Sequence, residues 1–217
     1  CYPGLGSVNV RDDLGRSSYN SLQLQLTRRF SAGWQYIASY TYSKTKDNGE
    51  GAFDNTAGGA NYIEQYATSR LDYPHVFSFQ TVYDLPWGRG RKYGSDMNKV
   101  LDFFAGGWSL NAIFRAQSGN AFDVRDNGVL VDVTGDPYGS NKTKNPYLNR
   151  SAFKAVANGS GRFGSLERNS LRSPSTNQLN LGLSKDFAFS ERVRLQFRSE
   201  AFNIFNTIQF SNPVTNC

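Results

Sequence analysis

The stretch Gln178–Phe205, QLNLGLSKDFAFSERVRLQFRSEAFNIF, contains two runs in which apolar residues recur at every second position. Leu179, Leu181, Leu183 and Phe187 make the first set, and Val193, Leu195 and Phe197 the second. Ser190-Glu191-Arg192 separates them as a short polar break. A period of two puts alternate side chains on opposite faces of an extended chain, so each run predicts a strand with one apolar and one polar face. Two such strands joined by a short break predict a hairpin.

The same unit recurs near the start of the chain. Asn20, Leu22, Leu24, Leu26, Arg28 and Phe30 match Asn177, Leu179, Leu181, Leu183, Lys185 and Phe187 at one constant offset. Ser18 to Phe30 therefore predicts a strand, Ser31-Ala32-Gly33 a tight turn, and Trp34, Tyr36, Ala38, Tyr40 and Tyr42 one face of the returning strand. A third strand is expected from Val76 through Phe77, Phe79, Thr81 and Tyr83. The fourth carries Trp108, Leu110, Ala112, Phe114 and Ala116. A short strand is also possible at Val8 to Val10. Asp126-Asn127-Gly128, flanked by Val124, Val129 and Val131, has the chemistry of a small exposed hairpin.

Composition narrows the class. The 217 residues include 12 Tyr, 16 Phe and 21 Gly, while only 38% are apolar. That is aliphatic-poor for a soluble core and suits a membrane barrel with aromatic girdles and a polar lumen, although a soluble sandwich or propeller remains open on composition alone. The net charge of +6 is dispersed without a block of like charges, so no nucleic-acid partner is expected. No run of 18 apolar residues exists, which excludes a transmembrane helix but leaves a barrel untouched. The only Met is Met97, and the chain reads as a mature or excised piece.

Connection lengths decide between the classes. They run short, long, medium, very long and short, with Lys44 to Arg70 and Gly119 to Thr176 as the long segments. A structureless loop of that length is uncommon within a compact soluble domain. Alternating short turns and long loops are what an outer-membrane barrel uses, and strands of about ten residues cross the hydrocarbon when tilted. Trp34, Tyr36, Tyr40, Tyr42, Tyr83 and Trp108 cluster near strand ends, as an interfacial girdle requires. The expected fold is all-β: an antiparallel up-and-down transmembrane β-barrel segment of about six long strands, in a single domain over residues 1–217.

Several segments carry a family resemblance. They are Tyr19-Asn20-Ser21-Leu22-Gln23, Ser39-Tyr40-Thr41-Tyr42-Ser43-Lys44, Arg70-Leu71-Asp72, Tyr83-Asp84-Leu85-Pro86-Trp87-Gly88, Gly107-Trp108, Gln117-Ser118-Gly119, Phe163-Gly164, Arg168-Asn169-Ser170-Leu171-Arg172 and Glu200-Ala201-Phe202-Asn203-Ile204-Phe205-Asn206. Together they resemble the barrel of TonB-dependent outer-membrane transporters, most nearly the Oar-like type that carries a carboxypeptidase-regulatory-like domain. The resemblance implies about six strands near the C-terminal end of a roughly 22-stranded barrel filled by a plug. It also implies import of a scarce or bulky ligand, a bacterial outer-membrane location, and TonB as a partner through an N-terminal region. Plug, TonB-contacting segment and most strands of that family have no counterpart here. The expected partners are therefore outer-membrane lipid and the missing strands and plug.

Catalytic and cofactor chemistry is sparse. Asp47-Asn48-Gly49-Glu50 and the set Asp123, Asp126, Asp132 and Asp136 offer oxygen ligands without EF-hand spacing, and read as solvated loop acids. His75, at a strand start, has no nucleophile motif beside it. Gly88-Arg89-Gly90-Arg91 fits a turn. No enzyme activity, metal or cofactor is expected. The functional candidates are polar residues opposite the apolar faces: Gln23, Gln25, Gln35, Arg115, Gln117, Gln196 and Arg198, expected to line the lumen and contact a plug or ligand. Cys1 and Cys217, at the two ends, are either unrelated thiols or a disulfide pair, both termini being expected on the outer side. Two other functions stay open: a stand-alone small barrel acting as pore or adhesin, and a soluble secreted β-protein with a binding surface.

Overall fold

The computed structural model describes residues 15–49, 66–139, 146–157, 159–190 and 192–213. Six long strands form one antiparallel meander: β1 (Ser17–Ser31), β2 (Trp34–Asp47), β3 (His75–Asp84), β4 (Trp108–Gln117), β5 (Thr176–Ala188) and β6 (Arg194–Ala201). Each pairs only with its sequence neighbours, and a two-residue strand, Ala67–Thr68, extends the sheet beside the far end of β2. All six strands lie where period-two alternation predicts them. The sheet is open, with β1 and β6 at its edges. Val8 to Val10, Cys1 and Cys217 lie outside the described residues.

Register explains why alternation survives across the whole sheet. Directly opposed residues of an antiparallel pair share a face. One transverse row therefore reads Gln25, Ser39, Ser78, Arg115, Gln178, and the next reads Leu26, Ala38, Phe79, Phe114, Leu179. A one-residue slip in any pair would mix the two rows, which is how the pattern pins the register. Apart from the Lys185–Phe187 end, where Phe103 packs on Phe187, the apolar face is left largely uncovered by the described residues. Leu22, Leu24 and Leu26 are 55–60% exposed, a cost that hydrocarbon removes and water does not.

The short-turn end carries an aromatic belt on that apolar face. Trp34 packs on Tyr36 at 4.9 Å and on Tyr83 at 6.4 Å, and Trp108 meets Phe197 edge-on at 5.8 Å. The indole N–H groups are satisfied internally: Trp34 Nε1 donates to Thr81 Oγ1, and Trp108 Nε1 to the Phe104 carbonyl, both at 2.9 Å. At the other end Tyr40, Tyr42 and His75 form the matching group, Tyr40 Oη and His75 Nδ1 lying 2.8 Å apart. From Trp34 to Tyr42 the strand climbs about 26 Å, or roughly 20 Å of height at a 40° tilt, close to the apolar band of a membrane barrel.

The basic position shared by the two hairpins has a physical cause. Arg28 stacks over Trp34 at 4.9 Å, and Lys185 lies 5.6 Å from the Trp108 ring. Each is a cation on the apolar face held against the belt at the short-turn end. Lys185 is also accepted by the carbonyls of Gly106 and Asp102.

Turn chemistry follows the sequence. Ala32 and Gly33 both have positive φ, 53° and 77°. That is the two-residue geometry whose twist matches the flanking strands. Between β3 and β4 the expected plain connector instead contains a short helix, α1 (Lys99–Ala105). Asn98 caps it by accepting from Leu101 N at 2.7 Å, and Gly106 ends it. Seven residues are too few for a periodic signal, which is why alternation and periodicity left no sign of it. β6 ends at Ala201, before Phe205. Asn203 and Asn206 take positive φ, and the Ile204 amide still donates to the Leu179 carbonyl.

The described residues of the segment Gly119 to Thr176 hold only two-residue strands, yet they are packed rather than loose. They fold into a small domain at the long-loop end around Phe122, Val124, Val131, Leu166 and Leu171, all buried. Two-residue ladders join Ala121–Phe122 to Leu171–Arg172 and Asp132–Val133 to Phe153–Lys154. Asp126-Asn127-Gly128 does form a hairpin, Arg125–Asp126 pairing Val129–Leu130 with Asn127 and Gly128 at positive φ. It is not simply exposed, because its flanks Val124, Leu130 and Val131 enter the core.

Candidate functional site

The functional candidates sit on the polar face. Gln23 and Gln25 extend from β1, Gln35 from β2, Arg115 and Gln117 from β4, Gln196 and Arg198 from β6, and register places all seven on this one side. They do not form one cluster. Gln23 and Gln25 lie three strands from Gln117 and Arg115 along the same rows, about 14 Å at the usual strand spacing. Gln35, Gln196 and Arg198 lie toward the short-turn end, where Arg198 bonds Glu200 and Ser109 Oγ donates to Asp84 at 2.6 Å.

Arg115 and Gln117 are the pair brought together. The Arg115 guanidinium donates to Gln117 Oε1 at 3.1 Å. Both line an open cleft of about 650 Å³ with Gln178, Asn120, Ser173 and Gln209. Its floor is the polar face of β4 and β5, and its rim comes from the small domain and from residues 209–212. Its lining offers amide and hydroxyl groups and one guanidinium. This is a chemistry for hydrogen-bonding a polar solute.

Two arginines lock the small domain onto the strand ends. Arg168, 2% exposed, donates to Asp47 Oδ1 at 2.6 Å and to the Asp47 carbonyl at 2.8 Å. Arg172 reaches both the carboxylate and the carbonyl of buried Asp72. Asp72 in turn accepts from Thr45 N at 2.5 Å, and Asn169 donates to the Thr68 carbonyl at 3.1 Å. The segment Arg168-Asn169-Ser170-Leu171-Arg172 is thus a latch, with both arginines facing acids on the rim of the sheet. Its partners are about a hundred residues away in the chain, so no local pattern pointed to them.

Among the loop acids Asp47, Asp123 and Asp132 are paired with arginines rather than solvated, Asp136 is exposed, and Glu50 lies outside the described residues. Asp47 is not a solvated acid but the Arg168 partner, and Asn48 Oδ1 accepts from Arg16 N at 2.6 Å. Asp123 is buried and takes both Nε and Nη2 of Arg125. Asp132 pairs with Arg162 at 2.6 Å and accepts from Ser165 N. The hydrogen-bonding Arg162 guanidinium holds the Asp132 carboxyl down at about 2, with the Ser165 N–H adding to the effect. Asp136 accepts from Tyr138 N. Burial pushes the Tyr147 hydroxyl up to about 12, where it donates to the Arg172 carbonyl. Among the described residues no group of His, Cys, Asp or Glu has a metal-binding arrangement. No helix among them is long and apolar enough to cross a membrane.

No curated protein and no solved structure matches the chain. A family model does match it, over residues 1–217, and its description is outer membrane beta barrel domain. Period-two strands, a largely uncovered apolar face bounded by two aromatic groups and a polar opposite face are the physical content of that match. The chain belongs to the outer membrane beta barrel domain family, whose place is the bacterial outer membrane.

Proposed function

We propose that this chain is part of the wall of a TonB-dependent importer, its polar face lining the lumen and its small domain standing at the outer mouth. One observation carries the reading: the Arg115–Gln117 cleft lies at the long-loop end of the same face that bears the other five candidates. Short turns lie on the periplasmic side of such barrels and long loops outside, so a ligand arriving from outside meets this cleft first. The resemblance of Arg168–Arg172 and Glu200–Asn206 to transporter motifs supports the same reading.

The open edges of β1 and β6 need partners, because unpaired backbone is not tolerated in hydrocarbon. Further strands of a parent barrel are the proposed partners, with a plug against the polar face. The test is uptake by cells carrying the intact protein. Arg115→Leu and Arg198→Leu leave membrane insertion and heat-modifiable migration unchanged but alter uptake. Uptake that is the same in both variants removes those residues from the path. Uptake that persists after the proton gradient is dissipated contradicts TonB coupling and favours a passive pore.

A further inference from the structure

β2 continues past the last belt tyrosine, and its register stays regular there. Tyr42 faces Leu22, Lys44 faces Asn20, and Lys46 faces Ser18. Lys44 and Lys46 therefore share the apolar face with Tyr36, Tyr40 and Tyr42. At about 3.3 Å per residue they leave the strand roughly 7 and 13 Å beyond Tyr42. Tyrosines of such a belt sit at the headgroup level, so this is the height of lipid phosphates.

The lysines differ from the other cations on that face. Arg28 and Lys185 are engaged by aromatic rings, and Lys185 also by carbonyl groups. Neither Lys44 nor Lys46 has an ion pair or ring contact among the described residues. They line an open cleft of about 570 Å³ with Tyr66, Phe163, Leu166 and Glu167. Arg168 also reaches it but is neutralised by Asp47. Among the described residues two ammonium groups thus stand against one carboxylate, beside the exposed Phe163 ring of the small domain.

A basic floor beside an exposed aromatic ring suits an anion that carries an apolar body. We infer that Lys44 and Lys46 form a binding site for the phosphate of a lipid headgroup in the leaflet at the long-loop end. With the orientation proposed above this is the outer leaflet, but the site itself does not depend on TonB coupling. Free phosphate shares the charge and lacks the body that the exposed Phe163 ring would contact.

The test uses the intact protein purified in a neutral detergent, titrated with a short-chain phosphatidic acid, phosphatidylcholine of the same chains, and inorganic phosphate. Phosphatidic acid should bind more tightly than either other probe. Each of Lys44→Gln and Lys46→Gln should weaken it about five-fold, the worth of one basic residue beside an anionic headgroup. Lys44→Arg with Lys46→Arg should retain binding, and Glu167→Gln should tighten it. Heat-modifiable migration checks that each variant is folded. Phosphatidic acid binding unchanged by the two glutamine variants overturns the site. Inorganic phosphate binding as tightly as the lipid, with the same lysine dependence, overturns the lipid assignment. Loss of uptake in either case is a separate matter, because this assay involves no transport.

Discussion

Replacing Arg168 with Met tests whether the small domain is a latched unit. The side chain is 2% exposed and supplies two donors to Asp47, at 2.6 Å to the carboxylate and 2.8 Å to the carbonyl. Methionine keeps most of the volume but leaves the Asp47 carboxylate, 13% exposed, without that guanidinium. Removing one partner of a buried pair costs about 3–5 kcal/mol. If the domain opens locally, that loss raises amide exchange on the order of a hundred- to several-thousand-fold, up to the limit set by its own opening free energy. Hydrogen exchange at Val131 and Leu166, whose amides bond within the domain, is the readout. Amides of β3 and β4 should not change. Arg168→Met combined with Asp47→Asn should recover part of the loss, because the stranded charge is gone. Unchanged exchange at Val131 and Leu166 in the single variant would refute the latch. So would an equal rise in β3 and β4, since the effect would then be global.

Gly164→Ala probes the same domain from its core: a β-carbon there would collide with the backbone of Leu130 and Val131. The cost should reach or exceed the upper end of the 1–3 kcal/mol typical of overpacking, seen as new proteolytic cleavage within residues 119–175 while the strands stay resistant. Acid titration tests the Asp132–Arg162 pair. Its carboxyl is depressed from 3.8 to about 2 in the folded chain, so the stabilisation is fully present above 3.8 and is lost as pH falls through about 2. Protection of the Ser165 amide should hold from neutral pH to about 4 and fall below that, and Asp132→Asn should abolish this pH dependence.

The wall was legible and the mouth was not, for a physical reason. Strands facing lipid on one side and polar groups on the other must alternate along their whole length, so Leu179, Leu181 and Leu183 declare both element and face. The paired Arg28 and Lys185 were visible as a shared basic position, and the belt at Trp34 and Trp108 supplies its cause. The small domain buries Phe122, Val124, Val131, Leu166 and Leu171 through ladders of two residues, too short for any period to show. Asp47 and Asp132 looked solvated because their arginines, Arg168 and Arg162, are far away in sequence, whereas Asp123 pairs with Arg125 only two residues on. Alternation and register alike put the seven polar candidates on one face. Only the register and the fold of residues 119–175 could tell that Arg115 and Gln117 meet in a cleft and the others do not.

The central claim is that the two faces of this sheet meet different solvents. Spin labels placed one at a time on Cys substitutions at positions 76 to 83 of β3, in the intact protein in lipid, measure this directly. Labels at Phe77, Phe79, Thr81 and Tyr83 should be accessible to oxygen, which partitions into hydrocarbon. Those at Val76, Ser78, Gln80 and Val82 should be accessible instead to a polar nickel chelate, giving a period of two. Uniform accessibility, or the opposite phase, would contradict the account.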